Sequence, residues 1–183
     1  MTTTRKSERM NQTSTTRTLL GTSLALLSLG MAIPPALAHG DTHPTKQPAF
    51  DPSSAEQKAF GIAGDPKKAT RTIKITMTDK MRFSPDTITV KQGETVKFDV
   101  SNNGKMLHEM VIGTMDELME HSEMMKKFPE MEHEEPYMAH VAPGKGEALV
   151  WTFNRPGEFN FACLIPGHFD AGMVGNIKVL ARK

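Results

Sequence analysis

The sequence predicts an all-β protein: a sandwich of short antiparallel strands interrupted by one inserted helix and loop. Three observations predict it. Apolar and polar residues alternate in short runs such as "RTIKITMT" (Arg71 to Thr78). Turn formers, including "KQGE" and "NRPG", separate these runs. One stretch, Thr114 to His140, abandons the alternation for apolar residues at helical spacing.

Taken in order, the chain opens on a targeting pattern. Arg5, Lys6, Arg9 and Arg17 form a basic region, and "LLGTSLALLSLGMAI" (Leu19 to Ile33) is an apolar run short for a membrane span. "ALA" (Ala36 to Ala38) offers small residues for cleavage, so residues 1–38 read as a signal peptide, with a retained anchor as the rival. No twin-arginine pair precedes the apolar run, which favours general secretion and a periplasmic product without stable membrane association. Residues 39–68 are polar, with scattered Pro, Gly, Asp and Lys, and read as a flexible arm. The folded domain is expected over 69–183, enough chain for one core.

Within that domain, Ile73, Ile75 and Met77 share one face of the first strand. "DTITVKQGETVKFDVSN" reads as two strands across the turn at Gln92-Gly93, with Ile88 and Val90 on one and Val96, Phe98 and Val100 on the other. "HEMVIG" is a further short strand. "EALVWTF" and "GEFNFAC" read as a hairpin around "NRPG", and "GMVGNIKVL" closes the sheet. Residues 114–140 are the insertion. Thr114 and Glu117 form a capping box, Pro129 ends the helical pattern, and Met115, Leu118, His121, Met125 and Phe128 share a helical face. An acidic loop follows.

Composition narrows the chemistry. Lys and Arg number 22 against 21 Asp and Glu, a net charge of +1, so no strong field points to nucleic acid or an anionic membrane. Methionine is frequent, at 14 residues, and cysteine occurs once. In an oxidising compartment a lone cysteine has no partner in its own chain. Cys163 is therefore buried and inert, reactive, or bound to a metal.

The surroundings of Cys163 favour the metal. Phe159, Phe161 and Cys163 share strand parity, so the thiol faces the core at the strand's end. Pro166 and Gly167 can turn the chain to bring His168 back beside the sulfur, and Gly172 lets Met173 approach from another side. Thiolate, imidazole and thioether together suit copper in both oxidation states. A second imidazole is needed for a His₂Cys plane with a weak axial methionine. His108, at the start of "HEMVIG", is the candidate, with His140 as competitor.

The order His108, Cys163, His168, Met173 and the phrase "GEFNFACLIPGHFDAGMVGNIKV" resemble the cupredoxins, the small blue-copper proteins, over roughly Ala69 to Lys183. The resemblance implies a Greek-key β-sandwich holding one type 1 copper at one end. It implies Cu(II)/Cu(I) cycling without enzymatic turnover, and a redox partner docking near His168, where Ile165, Pro166 and Phe169 give an apolar rim. A dinuclear Cu_A site would need a second cysteine, and a multicopper oxidase would need histidines in place of Ala162 and Leu164. Nitrite reductase is much longer. Periplasmic copper-resistance cupredoxins, rich in Met and His, fit better than plastocyanin or azurin. Glu109 stands where many members carry asparagine.

Two further places offer soft or imidazole ligands. The insertion holds Met115, Met119, Met124, Met125, Met131 and Met138 with His121, His133 and His140, either as helix packing or as an auxiliary copper site. Cleavage after Ala38 would expose His39 near His43, a Cu(II) chelating pair or part of a tail. The expected function is copper tolerance through binding and redox cycling of copper; the alternative is a one-electron shuttle between respiratory partners.

Overall fold

The computed structural model describes residues 50–183 except Ser54, Glu130 and Glu132. Residues 1–38, read as a signal peptide, and the pair His39 and His43 lie outside the described residues.

Eleven strands and one α-helix are described: β1 (Gln57–Lys58), β2 (Gly61–Ala63), β3 (Arg71–Thr78), β4 (Arg82–Ser84), β5 (Thr87–Lys91), β6 (Glu94–Asn102), β7 (His108–Gly113), α1 (Met115–Lys127), β8 (Met138–Val141), β9 (Gly146–Phe153), β10 (Gly157–Ala162) and β11 (Val174–Leu180). They form a six-stranded sheet in the order β1-β2-β9-β6-β3-β4 and a five-stranded sheet in the order β5-β11-β10-β7-β8. The protein is thus an all-β Greek-key sandwich with one inserted helix. The alternating residues read from the sequence fill its core: Ile75 and Met77 of β3, Val96, Phe98 and Val100 of β6, Ile88 and Val90 of β5, and Phe159 and Phe161 of β10 are buried in one cluster.

Three expectations are corrected. The sandwich is not wholly antiparallel, because β3 pairs with β6 and β5 with β11 in parallel. The turns at Gln92-Gly93 and at "NRPG" do not close hairpins. Each carries the chain from one sheet to the other, β5 to β6 and β9 to β10. Local alternation reveals a strand but not its partner; each strand found a better-matched face across the sequence. Residues 57–68, read as part of the arm, build onto the sheet edge. Phe60 is buried and stacks on Trp151, ring centroids 5.3 Å apart, and its carbonyl accepts from Trp151 Nε1 at 3.0 Å. One aromatic anchor recruits an otherwise polar segment.

The insertion begins as expected. Thr114 Oγ1 accepts from the Glu117 amide at 3.3 Å, and Glu117 Oε2 accepts from the Thr114 amide at 2.9 Å. Replacing Thr114 by Ala is expected to lower stability by about 1 kcal/mol, measured by denaturant titration. The buried stripe differs from the reading. Leu118, Ser122 and Met125 face inward, whereas Met115 and Phe128 are exposed. Leu118 and Met125 pack with Val111, Met138, Ala162 and Leu164 on the outer face of the five-stranded sheet. Met138 belongs to β8 rather than to a loop, paired opposite Val111.

This packing explains β7, in which all six residues are buried. His108, Met110 and Ile112 have the parity of the inner core; Glu109 and Val111 have that of the helix-covered face.

Candidate metal centre

Three ligand-type side chains converge at one end of the sandwich. A ring nitrogen of His108, Cys163 Sγ and a ring nitrogen of His168 lie within 4.8 Å of one another, and all three residues are buried. Cys163 Sγ is 3.3 Å from His168 Nδ1, and the two imidazole centroids are 4.9 Å apart.

Each arrives by a different route. His108 opens β7, and its ring is held from behind: its Nε2 donates to Asp79 Oδ1 at 3.1 Å. Asp79 also accepts from the amides of Lys105 (2.8 Å) and Met106 (3.3 Å), so it orders the loop before β7 as well. The Lys105 amide is the largest cause holding the Asp79 carboxyl below its ordinary range. Fully buried Asn102 completes that loop by donating to the carbonyls of Met106 and Val141, both at 2.8 Å.

Cys163 follows β10 directly. Its amide donates to the Met173 carbonyl at 3.1 Å, and the Met173 amide donates to the His168 carbonyl at 3.1 Å. The 163–173 loop therefore folds back on itself, with Gly167 (φ +88°) and Gly172 (φ +85°) in the left-handed region that the turns require. Arg82 of β4 clamps the loop through the carbonyls of Ala171 (2.9 Å) and Gly172 (3.3 Å). Met173 is fully buried in the main core beside Cys163.

The donor set fits a metal. His108 Nδ1 is buried without a hydrogen-bond partner, while Nε2 carries the proton given to Asp79. A buried unpaired imidazole nitrogen is costly unless something electrophilic meets it. Burial, and then the charge of Glu109, pushes the Cys163 thiol up to about 12. Burial, followed by the neighbouring His108, pushes His168 below its ordinary value. Without metal the centre thus holds a neutral thiol and a neutral imidazole, and a metal entering it must displace the thiol proton.

A second histidine group lies on the helix-covered face of β7 and β8. His121 Nε2 and His133 Nε2 are 2.8 Å apart, and His133 Nδ1 is buried without a partner. Burial, and next His133, lowers the His121 pKa. His140 sits beside them, its ring centroid 6.4 Å from that of His133. Its Nδ1 is 3.0 Å from Glu109 Oε2 and its Nε2 is 3.1 Å from the His133 carbonyl. Both ring nitrogens meet acceptors, the pattern of an imidazolium, and the contact with Glu109 is the main cause raising the His140 pKa. His140 therefore stands outside the Cys163 centre. Met115, Met119, Met124 and Met131 are exposed, whereas Met125 and Met138 pack in the core beneath the helix.

The sequence reading missed Asp79, Asn102 and Arg82. An acid in the turn after β3, an Asn ending β6 and an Arg on an edge strand look like ordinary surface punctuation. Only the fold brings them behind His108 and the 163–173 loop.

A two-sheet Greek-key sandwich with buried His, Cys and His at one end defines the cupredoxin class of copper proteins. Residues 69–180 match the family of copper binding proteins described as plastocyanin/azurin, and the chain belongs to that family. It is similar to the copper-resistant cuproprotein CopI of Rubrivivax gelatinosus, 49% identical over 120 residues, covering 66% of this chain and 73% of the relative. It is also similar to the protein of the same description from Pseudomonas aeruginosa, 36% identical over 156 residues, covering 69% of this chain and 86% of the relative. Among solved structures, a reduced auracyanin of Roseiflexus castenholzii superposes with a TM-score of 0.53 at 24% identity, covering 61% of this chain and 98% of the other, a likeness of fold. The protein is accordingly a copper-binding cupredoxin.

Proposed function

We propose that the chain is an exported periplasmic protein that serves copper tolerance by binding and redox-cycling copper, without enzymatic turnover. His108, Cys163, His168 and Met173 are the residues that would hold one type 1 copper. The observation that carries this reading is the buried cluster of His108, Cys163 and His168, in which His108 Nδ1 is left without a hydrogen-bond partner. Copper bound there supplies one-electron chemistry between the cupric and cuprous states.

The chain's own residues supply the rest. Asp79 fixes the His108 tautomer and ring direction. Arg82 and the two loop glycines keep Cys163, His168 and Met173 on one rigid turn, so the ligands need little movement when the oxidation state changes. Cys163 surrenders its proton on loading. His168, 9% exposed, is the edge nearest solvent, and exposed Met106 and Leu107 precede His108 in sequence. An apolar rim of this kind suits a short-lived encounter with a redox partner.

Tolerance is favoured over a plain shuttle by the second histidine group. His121 and His133, with the exposed methionines of the insertion, would make an auxiliary copper site, and two similar proteins, 49% and 36% identical, are described as copper-resistant. From the sequence, His39 and His43 would add a Cu(II) chelate at the new N-terminus. The shuttle reading rests on the apolar rim around His168, to which exposed Met106 and Leu107 add beside exposed Pro166 and part-exposed Ile165 and Phe169.

A strain lacking the gene is expected to grow normally without added copper and poorly with it. Wild-type protein should restore growth, and the His121→Ala/His133→Ala variant should restore it only in part. Normal copper tolerance together with loss of a respiratory activity would replace this reading with the shuttle.

A further inference from the structure

The two histidine groups are joined through one side chain. Glu109 is 4% exposed and lies on the helix-covered face of β7, back to back with His108. Its Oε1 accepts from the amide of Leu164, the residue after Cys163, at 2.8 Å. Its Oε2 meets Nδ1 of His140, its cross-strand partner in β8, at 3.0 Å. His140 continues to the His133 carbonyl at 3.1 Å, and His133 to His121 at 2.8 Å. Both Glu109 oxygens thus meet N–H groups, one of the backbone and one of an imidazole.

A buried carboxylate with an imidazolium is seldom a net gain in stability over apolar packing. The helix-covered face on which it lies carries buried Val111, Ala162 and Leu164, and an apolar side chain would suit the same face. The carboxylate instead touches the backbone beside one cluster and a member of the other. Its charge is also felt at Cys163, His168, His121 and His140.

We propose that Glu109 is the positioning residue that couples the Cys163 centre to the histidine group of the insertion, so that a cation bound at His121 and His133 alters the copper held at Cys163. This inference rests on the auxiliary-site reading. A buried anion near the copper favours its more positive state. A cation arriving at His121 and His133 opposes that anion and repels the His140 imidazolium that it holds. By linkage, the oxidation state of the copper alters cation affinity at the histidine pair by the same factor.

The test uses the mature full-length protein loaded with one copper, with Zn(II) as a redox-inert probe. Calorimetry reads Zn(II) uptake at the pair, with His121→Ala/His133→Ala as control; a potentiometric titration reads the copper couple. In the wild type, Zn(II) is expected to shift the cupric-to-cuprous preference toward cuprous by about tenfold, ~59 mV for one electron. Glu109→Gln keeps an acceptor for the Leu164 amide and an amide opposite His140 but removes the charge. It should raise the midpoint without Zn(II) and cut the Zn(II) effect below about threefold, ~30 mV by the same conversion. An undiminished Zn(II) effect in Glu109→Gln overturns the inference, as does Zn(II) bound at the pair with no shift in the wild type. Absence of Zn(II) uptake at the pair removes the auxiliary-site reading and this inference together. Uptake without a shift removes only the inference.

Discussion

Cys163→Ser is expected to abolish the intense thiolate-to-copper absorption band at every copper loading. The thiol is the one cysteine in the chain, it is fully buried, and its sulfur is 3.3 Å from His168 Nδ1. Serine keeps the backbone bond between the residue 163 amide and the Met173 carbonyl, so the loop retains its closure. In a Cu(II) titration of the mature wild-type protein, the band should saturate at one copper per chain while total uptake continues at the histidine pair. The proton balance gives an independent reading. With the thiol at about 12, almost none is ionised at neutral pH, and loading releases about one proton per copper from this position. The serine variant should release none from it. A wild-type protein without the band would mean that Cys163, His168 and Met173 do not bind copper together.

Phe161→Ala is expected to cost about 3–5 kcal/mol of stability. The ring lies in the main core two residues before Cys163, so it faces the same side of β10 and packs in the core that adjoins the candidate metal centre. It meets Phe83 edge-on, centroids 4.8 Å apart, and is paired across the sheet with Gly175 and Ile112. Gly175 is part of this arrangement, because a Cβ there would overlap the Phe161 ring. Removing the ring leaves a cavity that β11 has no side chain at that position to fill. The denaturant midpoint of the apoprotein should fall with an unchanged slope. A loss below about 1 kcal/mol would mean that the core collapses onto the gap, and the ring's role as a rigid support would be wrong.

The two variants act on different links. Cys163→Ser removes a proposed ligand from a standing fold, whereas Phe161→Ala removes the fold's support from an intact candidate ligand set. Comparing the band of copper-loaded Phe161→Ala with that of wild type therefore shows how far the Arg82 clamp and the Glu109–Leu164 bond hold the loop without the ring.

Much of this protein was legible from the sequence by itself. Alternation over Arg71 to Thr78 and over the β10 strand exposed the β-class and most core residues, because side chains on a strand point to opposite faces in turn. The capping box at Thr114 and Glu117 marked where the helix starts, since it depends only on residues three apart. The 163–173 spacing named Cys163, His168 and Met173 as a set for a similar reason: a short loop bounds how far apart they can lie.

Tertiary structure decided what depends on distant pairing. Alternation carries no record of partner or direction, so the parallel pairs β3–β6 and β5–β11 and the crossings between sheets were settled only by faces meeting in the sandwich. Phe60 drew its polar neighbours onto the sheet edge through Trp151, 91 residues away. Asp79 came behind His108 across 29 residues, and Glu109 reached Leu164 across 55. The candidate ligands Cys163, His168 and Met173 could be read as a set because short-range geometry constrains them, whereas His108 is brought to them only by the fold. The groups that orient and couple them could not, because hydrogen bonds between distant segments form only once the two sheets have closed.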